Sequence, residues 1–168
     1  MDKQEQILRM LHEQGVAFTL AEHAPVFTMD DLPPIERELA TPIFRNLFLC
    51  NRQKTEFYLL MIVGDKPFRT AEVSKKLGVA RLSFGDESLL FSLLGVTPGC
   101  VNPLSLLFDS DHKVQLVVDR DIRTWPRVAM HPGVNTATLA MDAQAFFGTV
   151  LPALKHEPIV LDITGTHE

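Results

Sequence analysis

Two apolar stretches, FRNLFLCN at 44–51 and EFYLLMIVG at 56–64, constrain the fold of this chain more than any other feature. Both are rich in aromatic and aliphatic residues, both are strand-length, and the polar RQKT between them supplies a turn. They read as a β-hairpin, so the chain is built around a sheet.

The flanking sequence decides what surrounds that sheet. Ile7, Met10 and Leu11 recur at helical spacing, so residues 3–14 read as an amphipathic helix stopped by Gly15. VAFTLAEH reads as a short strand. TMDDLPPIEREL begins like a helix, but Pro33 and Pro34 interrupt it, and a broken element is expected. Thr70 is expected to cap a short helix ended by Gly78, and Asp86 a second ended by Gly95. RLSFG is a brief extended piece between them. A proline- and glycine-containing loop follows, then the strand KVQLVVD and two strands in RVAMHPGVNTATLAM joined through His-Pro-Gly. Asp142 is expected to cap a last helix, and PIVLDI adds a terminal strand. Irregular alternation of strands and helices predicts an α/β or mixed α+β fold with a mixed sheet. With 168 residues and no composition shift, one domain over 1–168 is expected.

Composition narrows the class. No apolar run reaches the ~20 residues that span a bilayer, and the charged N-terminal segment does not resemble a secretory signal. Two cysteines, Cys50 and Cys100, form no disulfide framework, so a reducing, cytoplasmic setting is expected. The net charge of −5 is unevenly distributed: residues 45–81 carry eight Lys/Arg and three acids, whereas both flanking segments are acidic. That stretch is either a solvated face or a footprint for a polyanion.

The candidate chemistry is polar and metal-free. The six histidines lack the spacing of a zinc site, and no P-loop or nucleophile elbow is present. Strand alternation places Arg45 with Leu47 and Leu49 on one face and Asn46 with Phe48 and Cys50 on the other. Arg45 is then either an edge cation reaching water or a ligand-facing guanidinium. In TPGCVNP, two prolines and a glycine form either a plain rigid connection or a loop whose N–H groups approach a ligand. His131 and Asn135 flank a turn before a threonine-rich strand, as a surface hairpin or as polar groups at a pocket mouth. Cys100 is either a small hydrophobe or a nucleophile that His131 activates.

RNLFL at 45–49, LGVARLSF at 77–84, LLGVTPGCVNPLSLL at 93–107 and HPGVNTATL at 131–139 together resemble the YbaK/prolyl-tRNA-synthetase-associated domain family. The likeness runs in order over most of the chain and is nearest to free-standing domains that hydrolyse Ala-tRNA(Pro). The resemblance implies a partly barrel-like mixed sheet flanked by helices, and an aminoacyl-tRNA deacylase that uses no cofactor. Its implied partners are aminoacyl-tRNA, above all tRNA(Pro), and prolyl-tRNA synthetase, with no membrane or DNA partner. By position, Arg45 stands where lysine is usual, Asn46 matches the family asparagine, and His131 matches the histidine near the terminal ribose. Gly99, Cys100, Val101, Asn102 and Pro103 match the loop over the scissile ester, with backbone N–H groups of 99–102 as oxyanion donors. Met29, Pro33, Ile35 and Leu47 are expected to wall a small apolar pocket that admits alanine. The basic stretch 45–81 would meet acceptor-stem phosphates. Two other readings stay open: a non-catalytic tRNA- or synthetase-binding module, suggested by Arg45, and a cysteine-dependent hydrolase of another ester.

Overall fold

The computed structural model describes residues 2–24, 33–39, 41–42, 44–97, 100–132, 134 and 136–165. In chain order, the regular elements begin with α1 (Lys3–Glu13), β1 (Thr19–Glu22), α2 (Pro33–Leu39), β2 (Phe44–Cys50) and β3 (Phe57–Val63). Next come α3 (Thr70–Leu77), β4 (Ser83–Phe84), α4 (Glu87–Leu94), a 3-10 helix (Pro103–Phe108) and β5 (Val114–Asp119). A second 3-10 turn (Arg120–Thr124), β6 (Arg127–Met130) and β7 (Ala137–Asp142) lead to α5 (Ala143–Ala145), a π-turn (Phe146–Val150) and α6 (Leu151–Leu154). Strand β8 (Ile159–Leu161) is the last.

The hairpin forms as its sequence dictates. β2 and β3 pair antiparallel over their whole length, from Phe44 opposite Val63 to Cys50 opposite Phe57. They lie inside a five-stranded sheet of order β4-β2-β3-β5-β8, in which β5 runs parallel to β3 and β8 parallel to β5. Parallel neighbours require long crossovers, and α3 through the first 3-10 helix supply one of them. A separate antiparallel sheet has the order β1-β7-β6.

Both faces of the hairpin are buried, and they look onto different cores. Phe44, Phe48 and Cys50 of β2 join Leu59 and Met61 of β3 in the main core, with Val128, Met130, Leu139 and Met141 of the smaller sheet. Ile7 and Leu11 of α1 and Phe146 and Leu151 of the C-terminal helical segment complete it. On the opposite face, Leu49, Leu60, Ile62 and Val117 pack with Val73 of α3, Leu82, Leu161 and Ile163. On the outer face of the smaller sheet, Ala21, Ala129 and Ala140 form a small-residue floor under Ile35 and Leu39 of α2.

Helix ends follow local chemistry, with two differences from expectation. Asp86 accepts the Leu89 N–H at 2.8 Å, and Gly78 and Gly95 close α3 and α4 in left-handed conformations open to glycine without strain. Thr70 does not cap α3: it is the first helical residue, and Arg69 holds the cap position without a side-chain hydrogen bond. Asp142 occupies its cap position but likewise makes no capping bond, and its carboxylate lies 3.5 Å from Arg127. The second half of the proline-interrupted element forms α2; its first half lies outside the described residues. The apolar run after Pro103 forms a 3-10 helix.

Candidate active site

β4 covers β2 only at Leu49 and Cys50, so Phe44–Leu47 form an open edge on that side among the described residues. Arg45 and Asn46 stand on this edge with side chains on opposite faces of the sheet. The Arg45 Nη2 donates to the Lys66 carbonyl at 2.5 Å. Its Nε and the Asn46 Oδ1 are both buried with no hydrogen-bond partner among the described residues. Orphaned buried polar atoms cost roughly 1–3 kcal/mol each. Two of them fall on consecutive residues at an open strand edge.

The chain entering β2 is tied to the smaller sheet. The Thr41 hydroxyl donates to the Arg127 carbonyl at 3.0 Å, at the start of the strand that ends beside His131. His131 is largely buried, and its Nδ1 lies 3.1 Å from the Ala137 carbonyl. A carbonyl only accepts, so Nδ1 carries the hydrogen, and the neutral ring keeps a lone pair on Nε2. Burial pushes the His131 pKa down; the Ala137 carbonyl pulls it back up, and nearby His23 opposes a second positive charge. His131 is therefore a neutral hydrogen-bond acceptor at neutral pH.

His23 was only one of six scattered histidines in the sequence, and the fold brings it to this end of the sheet. Its Nδ1 donates to the Ala24 carbonyl at 2.8 Å, and its Nε2 sits 2.7 Å from the Thr138 hydroxyl. Both histidines thus grip the first residues of β7, one from each neighbouring strand. The only local signal was a histidine just beyond a strand end.

The loop residues divide by role. Asn102 is fully buried and closes its own turn: its Nδ2 donates to the Cys100 carbonyl and its Oδ1 accepts the Leu104 N–H, both at 2.9 Å. The expected oxyanion donors thin out accordingly. Cys100 N–H is engaged by the Thr97 carbonyl and Asn102 N–H by the Ser105 hydroxyl. Among described residues 100–102 this leaves the Val101 N–H. Val101 packs into the main core, Cys100 packs half-buried against it, and buried Pro103 opens the 3-10 helix. No hydrogen bond among the described residues joins Cys100 to His131.

The expected apolar wall is not assembled from the residues described. Ile35 packs on the alanine floor of the smaller sheet, whereas Leu47 packs on the α3 side of the larger one. Pro33 opens α2. Met29, Gly99 and Asn135 lie outside the described residues.

The basic stretch is partly neutralised within the fold. Lys54 pairs with Asp86, Lys66 with Asp119 and Asp121, and Lys76 with Glu72. Exposed Arg69 and Arg81 have no ion-pair partner among the described residues, and they line a groove with Thr70, Ala71 and the rings of Phe68 and Phe84. Phe84 is 60% exposed. No described group of three or more His, Cys, Asp or Glu is arranged to hold a metal, and no described helix is long and apolar enough to cross a membrane.

Known proteins give this geometry its context. Residues 23–147 match the model of the aminoacyl-tRNA editing domain. A Xenopus laevis protein, prolyl-tRNA synthetase associated domain-containing protein 1, is 34% identical over 164 residues, covering 95% of this chain and 96% of the relative. The prolyl-tRNA editing protein ProX of Acetoanaerobium sticklandii is 32% identical over 141 residues, covering 84% of this chain and 86% of its own. A crystal structure of a protein put forward as a trans-editing enzyme for prolyl tRNA synthetase superposes with a TM-score of 0.69 over 98% of both chains at 14% identity, a likeness of fold alone. With the matched segment spanning both the open edge of β2 and the strand that leads to His131, this chain belongs to the aminoacyl-tRNA editing domain family.

Proposed function

We propose that this protein is a trans-acting deacylase that hydrolyses the ester of mischarged tRNA, with Ala-tRNA(Pro) as its substrate. The observation that carries the reading is the adjacent pair of unpartnered buried polar atoms, Arg45 Nε and Asn46 Oδ1, on the open edge of β2. A guanidinium donor and a carboxamide acceptor on consecutive residues of one strand edge, on opposite faces of the sheet, can each meet a different polar group of an aminoacyl-adenosine laid across that edge. Family membership and the name of the ProX relative support the same substrate class.

In this reading Arg45 binds the aminoacyl ester end and Asn46 accepts from a substrate hydroxyl or amine. The lone pair on His131 Nε2 accepts from a ribose hydroxyl and so helps orient the attacking water. The developing oxyanion finds the Val101 N–H. The water oxygen bonds to the ester carbonyl carbon, and the bond from that carbon to the ribose oxygen breaks. The amino acid is released as its carboxylate, and the departing ribose oxygen takes up a proton from the attacking water. Arg69, Arg81 and the exposed Phe84 ring suit RNA, two cations for phosphates and an aromatic face for a base. Such a second site is useful because each missing methylene changes binding by only ~1–3 kcal/mol, which limits how well a synthetase can reject the smaller alanine.

The test is hydrolysis of Ala-tRNA(Pro) by the purified protein and by Asn46→Ala. Rapid loss of alanine by the wild type, slowed in the variant, supports the reading. Retained tRNA binding with no hydrolysis by the wild type would replace it with the binding-module reading.

A further inference from the structure

The Arg45 guanidinium is held by one corner, and the structure shows what holds that corner. Its Nη2 donates to the carbonyl of Lys66, in the turn directly after β3. The Lys66 ammonium reaches both oxygens of Asp119, at 2.8 and 3.0 Å, then Asp121 at 2.7 Å and the Ile163 carbonyl at 2.8 Å. Asp119 is fully buried at the end of β5. Its carboxylate also accepts the backbone N–H of Val63, the β3 residue next to the one facing Arg45, and that of Asp121.

One buried carboxylate therefore pins the end of β3, the turn behind it and the second 3-10 turn. Through Lys66 it also reaches the C-terminal segment. Burial alone would lower the Lys66 pKa, but the two aspartates outweigh it and keep the ammonium charged. With Nη2 fixed on this scaffold, the unpartnered Nε is aimed along a defined direction. A lysine at position 45 has no second nitrogen to hold in this way.

We infer that the Asp119–Lys66 pair is a positioning device that acts through the Lys66 carbonyl to aim the Arg45 fork at its ligand. The inference rests on the proposal that Arg45 meets the substrate ester. A buried carboxylate invites misfolding when changed, so Lys66→Met is the primary variant and Asp119→Asn the second, each checked for a native melting transition.

Two readouts decide the matter. The first needs no activity: the Arg45 side-chain Nε–H resonance is compared by NMR in the wild type and in Lys66→Met. A slowly exchanging, single resonance that becomes fast-exchanging in the variant supports the device; an unchanged resonance overturns it. The second is kinetic, with Ala-tRNA(Pro). Lys66→Met should lower kcat by about 10- to 100-fold through misplacement of Arg45, with KM changed by less than about twofold. The same change made in an Arg45→Ala background should have no further effect. Equal losses in both backgrounds would overturn the inference while leaving the deacylase reading intact. A wild type that hydrolyses nothing would remove the deacylase reading, and the NMR comparison would still decide whether Arg45 is aimed by this pair.

Discussion

Glu72 offers the most quantitative prediction, because its carboxylate staples α3 to the C-terminal segment. It accepts from Lys76 Nζ at 2.8 Å, from the Thr164 N–H and hydroxyl at 2.7 Å each, and from the Gly165 N–H at 2.9 Å. Burial pushes this carboxyl upward, but the four hydrogen bonds outweigh it and hold the pKa at about 2, against an ordinary 4.5. At about 1.4 kcal/mol per pH unit, that gap stabilises the folded state by up to about 3.5 kcal/mol. The Lys76 side chain is 34% exposed, so screening trims the expected value to about 2 kcal/mol.

The sign follows from the direction. A lowered folded-state pKa stabilises fully above the ordinary value, and that stability is lost as pH falls from there toward the folded value. Glu72→Gln should therefore be less stable than wild type by about 2 kcal/mol near pH 7, and the difference should shrink progressively below about pH 4.5. Urea unfolding of both proteins at a series of pH values measures it. A gap that stays constant down to about pH 3 would refute the assignment.

Three further outcomes follow from the geometry. His156 faces the Leu154 carbonyl with Nδ1 and the buried Asp109 carboxylate with Nε2, and that carboxylate also accepts the Lys113 and Val114 N–H groups. Asp109→Asn, which replaces one acceptor oxygen by a donor, should therefore lower stability by about 1–3 kcal/mol in thermal or urea melts. Adding a Cβ at Gly85 would overlap the buried Phe48 ring, which stacks on Phe57; Gly85→Ala should cost about 1–3 kcal/mol by the same melts. Because burial lowers the His131 pKa, deacylation should be level through neutral pH and fall only below the ordinary imidazole range, and His131→Ala should flatten that acid limb. A limb unchanged in the variant would remove His131 from the pH profile.

The sequence and the fold agree where local chemistry decides. The hairpin at 44–64, the Asp86 cap and the two left-handed glycine stops were legible because each depends on a handful of neighbouring residues. Alternation correctly separated Arg45 from Asn46. It could not say which face meets which layer, since that depends on strands far along the chain. Ile35 and Leu47 were expected in one wall, yet they pack on different sheets for that reason. The basic stretch looked continuous, but Lys54, Lys66 and Lys76 find acids or carbonyls 4 to 97 residues away, leaving mainly arginines for a polyanion. His23 carried no spacing signal, because its partner Thr138 is 115 residues distant.

The most direct test of the central claim is a deacylation panel: tRNA(Pro) charged with alanine, serine, cysteine or proline, incubated with the wild type and with Arg45→Ala. The account predicts fast loss of alanine with proline spared, abolished by the substitution. Hydrolysis of alanine that survives Arg45→Ala undiminished, or no hydrolysis of any ester by the wild type, would contradict it.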